Sequence, residues 1–293
     1  MYYLLSLMAG VIISVMITLN GELTAQYGLY TATVIPHIGG LLMITAWTLI
    51  KREKPFAKRH PWYLYIGGSI GVITTVFNNL AFGRISLSAI LALGLLGQSI
   101  GSLITDQYGW MGMSRHPFKK HKIIGLAIVA AGIAVMLDRF EIVAVFTSFA
   151  AGASIVVSRT LNARFGALTS VRVSTFFNYL VGLLVSIPVL LLLGRQEPGF
   201  IHFTVSPDWY IYLGGFAGVC AVFLSNVLVV KISALYLSLL MFTGQVFAGV
   251  LIDAMIAQEF SLNIFVGGVL VTAGLCANLL LDHFMGRKTP KEG

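Results

Sequence analysis

The chain has 293 residues, 57% of them hydrophobic and 10% charged, and its 19 Lys and Arg against 11 Asp and Glu give a formal net charge of +8. Soluble domains carry about 25% charged residues, so this composition, with a mean hydropathy of +0.89, excludes a soluble globular enzyme, a disordered chain, a collagen and a disulfide scaffold. So much apolar sequence needs lipid as its solvent, and an all-α membrane protein is the expected fold class.

A helix needs about 20 mostly apolar residues to cross the hydrocarbon core. Ten segments meet that requirement: roughly 3–25, 31–50, 62–83, 87–106, 121–138, 142–163, 168–193, 209–230, 234–256 and 262–283. The start, Met1-Tyr2-Tyr3-Leu4-Leu5, has no basic leader, and its apolar run is too long for a cleaved signal, so it reads as a retained first helix. The longest connections, around 51–61, 107–120 and 194–208, are too short to fold alone. Cys220 and Cys276 lie inside apolar runs and read as small buried hydrophobes.

The cations sort by side. With ten spans, three regions share one face of the membrane: the 51–61 loop (Lys51, Arg52, Lys54, Lys58, Arg59), the 107–122 region (Arg115, Lys119, Lys120, Lys122) and the tail (Arg287, Lys288, Lys291). Arg159, Arg164, Arg172 and Lys231 fall on that face too, which leaves Arg84, Arg139 and Arg195 for the other. Both termini are therefore predicted cytoplasmic. The partner that the net charge identifies is the inner face of a lipid bilayer, and no nucleic acid is required.

The chain also repeats itself. Residues 62–107 align with 209–254 without a gap, and the identities include Trp62/Trp209, Gly67/Gly214, Gly71/Gly218, Asn79/Asn226, Gln98/Gln245 and Asp106/Asp253. Chance apolar similarity does not supply matched Asn, Gln and Asp. In the first spans, Leu23-Thr-Ala-Gln-Tyr-Gly28 matches Leu161-Asn-Ala-Arg-Phe-Gly166. The reading is two five-helix repeats, 1–140 and 141–293. Five is odd, so the second repeat enters the membrane from the opposite side. Inverted repeats of this kind point to a secondary transporter.

Ten spans, a five-plus-five inverted duplication and very short loops resemble the drug/metabolite transporter superfamily, with its EamA-like inverted repeat. The polar end of span 1, the L-x-A-x-[YF]-G turn and the Gly-Gln pair of span 4 (Gly97-Gln98) and again of span 9 (Gly244-Gln245) resemble most closely its fused YdcZ-like branch. The resemblance implies that spans 1–4 and 6–9 surround a central path, while spans 5 and 10 buttress it.

Several residues have structural readings. Gly67-x-x-x-Gly71, Gly214-x-x-x-Gly218 and Gly97-x-x-x-Gly101 let helices approach closely. Arg84-Ile85-Ser86 and Lys231-Ile232-Ser233 join consecutive spans, with the cation on a helix C-terminus and the serine capping the next helix. Asn278 serves as glue for the last span.

Others point to a site. Gln98 and Gln245 fall about 15 Å from either end of their spans, at the depth where transporter substrates bind. Asn20, Glu22, His37, Asn78 and Asn79 fall in the outer third of their spans as an expected polar vestibule, and Asn178 and Asn226 continue the polar lining. Asn79, Asn226, Asn20, Asn178 and His37, with the two glutamines, are the predicted substrate contacts. Glu22 is the only carboxylate well inside span 1 and is the candidate to carry a coupling proton. Arg159 and Arg172 are candidate contacts for an anionic group on the substrate. No Walker A pattern, H-E-x-x-H, Cys/His cluster or Gly-x-Ser-x-Gly occurs, so no catalytic residue, cofactor or metal is assigned and no enzyme is expected.

The expected function is an inner-membrane secondary transporter, a monomer or weak homodimer, that moves a small polar or amphipathic metabolite by alternating access. The alternatives are an exporter of cationic drugs with Glu22 as counter-charge, and a non-transporting membrane receptor or assembly protein.

Overall fold

A computed structural model describes residues 1–108, 122–137, 140–228, 231, 234–257 and 262–286. Among them the chain is helical, and an isolated bridge between Phe82 and Ile85 takes the place of any strand. The helices in order are α1 (Tyr2–Tyr27), α2 (Thr31–Ile50), α3 (Gly67–Ala81), α4 (Leu87–Tyr108), α5 (Lys122–Met136), α6 (Ile142–Leu168), α7 (Val171–Leu193), the single turn α8 (Pro198–Ile201), α9 (Gly214–Leu228), α10 (Ala234–Ala257) and α11 (Leu262–Gly286). A 3-10 turn leads into α3 (Trp62–Ile66) and another into α9 (Trp209–Leu213). The aligned segments of the sequence thus start their helices in the same way.

Among the described residues, α1, α2, α4, α6 and α7, and α3 and α9 with their leading turns, are long and apolar enough to cross a membrane. Shorter apolar helices cover Ile123–Met136, Leu240–Met255 and Leu262–Asn278. The outward faces are apolar: Leu42, Leu192 and Leu251 are 66%, 75% and 63% exposed. Such a surface fits hydrocarbon. Hydroxyls within the spans turn back on their own helices. Thr24 donates to the Asn20 carbonyl at 2.8 Å, Thr33 to Leu29 at 2.8 Å and Thr48 to Ile44 at 2.6 Å. This is how a polar side chain is satisfied where water is absent.

The helix starts are capped from nearby and from afar. Ser86 Oγ accepts from Ala89 N at 3.2 Å, as the sequence predicts for this junction. The Asp253 carboxylate, from the far end of α10, accepts from Leu87 N and Ser88 N at 2.9 Å each. The side chain of Asp106, its aligned partner, and residues 232–233 lie outside the described part. Arg84 pairs with Glu141 at 3.5 Å. Glu141 also caps α6 through Ala144 N at 2.5 Å.

The packing pairs exchange the two halves. Helix α4 lies on α6 and α10 on α1; α3 lies on α6 and α9 on α1; α2 crosses α7; α5 pairs with α11. Glycines set the closest approaches. A Cβ on Gly152 would overlap the Gly94 carbonyl, and one on Gly97 the Phe149 carbonyl. On the other side, a Cβ on Gly10 would overlap the Met241 carbonyl, and one on Gly244 the Leu7 carbonyl. These contacts equate Gly10 with Gly152, Leu7 with Phe149 and, through their contacts with Gly214 and Gly67, Asn20 with Asn162.

Candidate functional site: a cavity between the two halves

A cavity of about 170 Å³ lies among the helices. Its described lining comes from α1, α2, α3, α4, α6, α7, α9 and α10, with one glycine at the start of α9. No described lining residue comes from α5 or α11, which pack on each other through Gly132, Gly267 and Gly274. Asn278 of α11 stands against Gly125 of α5 and is not among the described lining residues.

The cavity has two unlike walls. From α6 it receives Ser158, Arg159 and Asn162, which share one helix face, and from α3 it receives Thr74, Thr75 and Asn78. The corresponding positions opposite are apolar or smaller: Met16 and Ile17 on α1, and Ala221, Val222 and Ser225 on α9.

On the polar wall the amides are tied together. Asn162 Nδ2 donates to Asn178 Oδ1 at 2.8 Å and to Ser158 Oγ at 3.4 Å, and Ser158 Oγ donates to the Gly67 carbonyl at 2.9 Å. Thr74 Oγ1 and Ser154 Oγ are 2.7 Å apart. The Arg159 guanidinium donates to Gln98 Oε1 across the α6–α4 contact at 3.3 Å. Within the described lining Arg159 is the one formally charged side chain, and no Asp or Glu is present.

Where α2 crosses α7, His37 Nδ1 donates to the Thr33 carbonyl at 2.7 Å, which assigns the ring proton to Nδ1. The His37 ring meets the Tyr179 ring with centroids 5.9 Å apart. Nearby, Asn20 Oδ1 and Asn226 Nδ2 are buried without a hydrogen-bond partner.

Of the predicted substrate contacts, Gln98, Gln245, Asn226, Asn20, Asn178 and His37 all line this cavity, and so does Arg159. Asn79 does not: it is buried beside the site, and its neighbour Asn78 takes the lining position. Glu22 is half-buried on α1 and is not among the lining residues. Arg172 is engaged elsewhere. Its guanidinium forms an ion pair with Glu53 in the loop after α2, and Ser170 Oγ donates to the same carboxylate at 2.6 Å. Burial raises the Glu53 pKa, but the bonds from Arg172 and Ser170 outweigh it and hold the carboxyl below its usual value. Sequence reasoning did not single out Ser158, Asn162, Thr74, Thr75 or Tyr179. The helical spacing of Ser158, Arg159 and Asn162 was the available signal.

The family described as "Putative inner membrane exporter, YdcZ" matches the chain twice, over residues 1–135 and 143–277. No curated protein matches it by sequence. A solved structure described as "Crystal structure of protein" superposes with a TM-score of 0.68 at 17% identity, covering 96% of this chain and 98% of that one. That likeness is one of fold.

Proposed function

The chain belongs to the YdcZ family, multi-pass in the inner membrane, and from that premise we propose that it exports a small polar or amphipathic metabolite by alternating access. One observation carries the reading: Gln98 and Gln245, aligned in the two matched halves, both line a single cavity between them. A site shared by two repeats is open to one side or the other as the repeats rock.

The reading includes ten spans in two inverted five-helix repeats, with both termini cytoplasmic. The double family match and the exchanged packing pairs, α4 on α6 and α10 on α1, support the duplication. The cation distribution supports the orientation. The α5–α11 pair, outside the cavity lining, takes the buttressing role. Glu22 is retained as the carrier of a coupling proton, and because it stands off the cavity wall it acts through movement of α1. A cationic drug is the weaker substrate class, since the described lining holds an arginine and no carboxylate.

The test is counterflow. Proteoliposomes preloaded with an unlabelled compound from a metabolite panel are diluted into a trace of its labelled form. A carrier concentrates label transiently and saturably, and Gln98→Leu with Gln245→Leu abolishes the effect. If no anionic, cationic or neutral member of the panel gives counterflow above protein-free vesicles, the transport reading falls.

A further inference from the structure

We propose that the cavity selects a small amphipathic monoanion, with its carboxylate on Arg159 and its apolar body against the α1–α9 wall. The inference rests on the transport reading only in taking the cavity as the substrate site.

The first ground is charge. An arginine has five N–H donors and no acceptor. One reaches Gln98 Oε1 at 3.3 Å, and among the described residues no carboxylate or other acceptor takes the rest. A cation held within the span region without a counter-charge is costly. A planar guanidinium fork offers two parallel donors to a carboxylate, a geometry that an ammonium does not provide. The same charge repels a cationic substrate.

The second ground is asymmetry. The exchange of halves that equates Asn20 with Asn162 and Gly10 with Gly152 places Ile17 where the other half has Arg159. Both side chains line the cavity. Met16 stands where the other half has Ser158, and Ala221 where it has Thr74. Duplication alone gives matching walls, so the difference defines two ends for a ligand. The side-chain N–H groups of Gln98 and Asn178 near Arg159 are available to an anionic head, whereas Met16, Ile17 and Val222, set beside Asn20, Ser225 and Asn226, offer apolar contact to its body. A bare inorganic anion leaves that wall unused.

The experiment is equilibrium binding to the purified full chain in nanodiscs, with protein-free nanodiscs subtracting lipid partition. The probes share one six-carbon body: hexanoate, hexanol and hexyltrimethylammonium, with inorganic phosphate as an anion lacking that body. The expected result is hexanoate binding at least about tenfold tighter than any of the other three, the scale of a charge-assisted fork. Arg159→Gln is expected to bring hexanoate down to the level of hexanol, and Arg159→Lys to retain part of the preference. Equal or tighter binding of hexyltrimethylammonium to the wild-type chain overturns the proposal, as does an unchanged hexanoate preference in Arg159→Gln. The wild-type comparison decides even if Arg159→Gln fails to fold. Counterflow of a cation without anion binding defeats this inference and leaves transport standing. Anion binding with no counterflow of any compound does the reverse.

Discussion

His37 and Tyr179 face each other across the α2–α7 crossing, and each ring lies over a glycine of the opposite helix: His37 over Gly182, Tyr179 over Gly40. The two contacts are the same contact with the halves exchanged. Gly68 and Gly215 complete the arrangement. A Cβ on Gly68 would overlap the Asn178 carbonyl, and one on Gly215 the Pro36 carbonyl. The crossing that carries His37 and Tyr179, both in the cavity lining, therefore depends on four absent side chains.

Gly68→Ala is accordingly expected to destabilise by about 1–3 kcal/mol, because the obstacle is backbone and does not swing aside. Gly71→Ala, one turn along, is the control. Its nearest neighbour is Asn178 Oδ1 at 3.8 Å, an ordinary contact, and alanine is the better helix former. Thermal denaturation in nanodiscs should lower the midpoint of Gly68→Ala by several degrees and leave Gly71→Ala at or slightly above the wild type. Equal midpoints for the two would refute the tight crossing.

Much of this was legible because duplication marks polar positions that apolar sequence otherwise hides. Gln98 and Gln245 were found that way, and both line the cavity. Asn79 shows the limit. It aligns with Asn226, but Asn78 is the cavity residue, and the two asparagines differ by about 100° around α3. Only packing fixes that angle. The match of Leu23–Gly28 with Leu161–Gly166 shows another limit. It sets Asn20 against Ser158, whereas the packing equates Asn20 with Asn162, about one turn away. A one-turn slip keeps nearly the same helix face, so apolar periodicity does not detect it. From sequence, Arg172 near the cytoplasmic end of its span fits both a snorkelling cation and a contact for an anionic group. Its partner, Glu53, lies in another loop, and no local pattern announces such a pair.

The Glu53–Arg172 pair gives a pH dependence with a definite sign. The Glu53 carboxyl titrates below its ordinary value of 4.5. A carboxyl with a depressed folded-state pKa contributes stability that is complete above the unfolded pKa and disappears as pH falls through the folded one. Glu53→Gln is expected to cost about 1 kcal/mol near neutrality, given a pair that is mostly but not fully shielded from water. The difference between mutant and wild-type midpoints should then close as pH falls through and below 4.5. A gap that stays constant from pH 7 to pH 3.5 would exclude the ion pair as its source.

Glu197 ties the loop after α7 to the start of α2. Its carboxylate accepts from Tyr30 N at 2.8 Å, from Thr31 N at 2.8 Å and from Thr31 Oγ1 at 3.0 Å. A carboxylate on exposed N–H groups at a helix N-terminus is favourable in both hydrogen bonding and dipole. Glu197→Ala should cost about 1–2 kcal/mol, and Glu197→Gln, which keeps an acceptor but not the charge, about half of that. Denaturation midpoints of the two variants check the order. Gln falling as far as Ala would assign the effect wholly to charge.

Glu22 tests the coupling step apart from the binding step. The cavity face of α1 is Ile13, Met16, Ile17 and Asn20. Glu22 follows Asn20 by two positions, about 200° around the helix, so substrate in the cavity does not touch its carboxylate. Among the described residues it forms no ion pair or hydrogen bond. Under the proposed coupling role, Glu22 acts through movement of α1 and not through contact with the ligand. Glu22→Gln, which mimics the protonated form, should therefore bind ligand with a Kd within about twofold of wild type, since RT ln 2 is small beside any direct contact. It should keep counterflow, which needs no driving force, and lose transport driven by an imposed pH gradient. The compound with the strongest counterflow in the panel serves for all three measurements. If gradient-driven transport persists undiminished in Glu22→Gln, the proton travels by another route or the exporter runs without one.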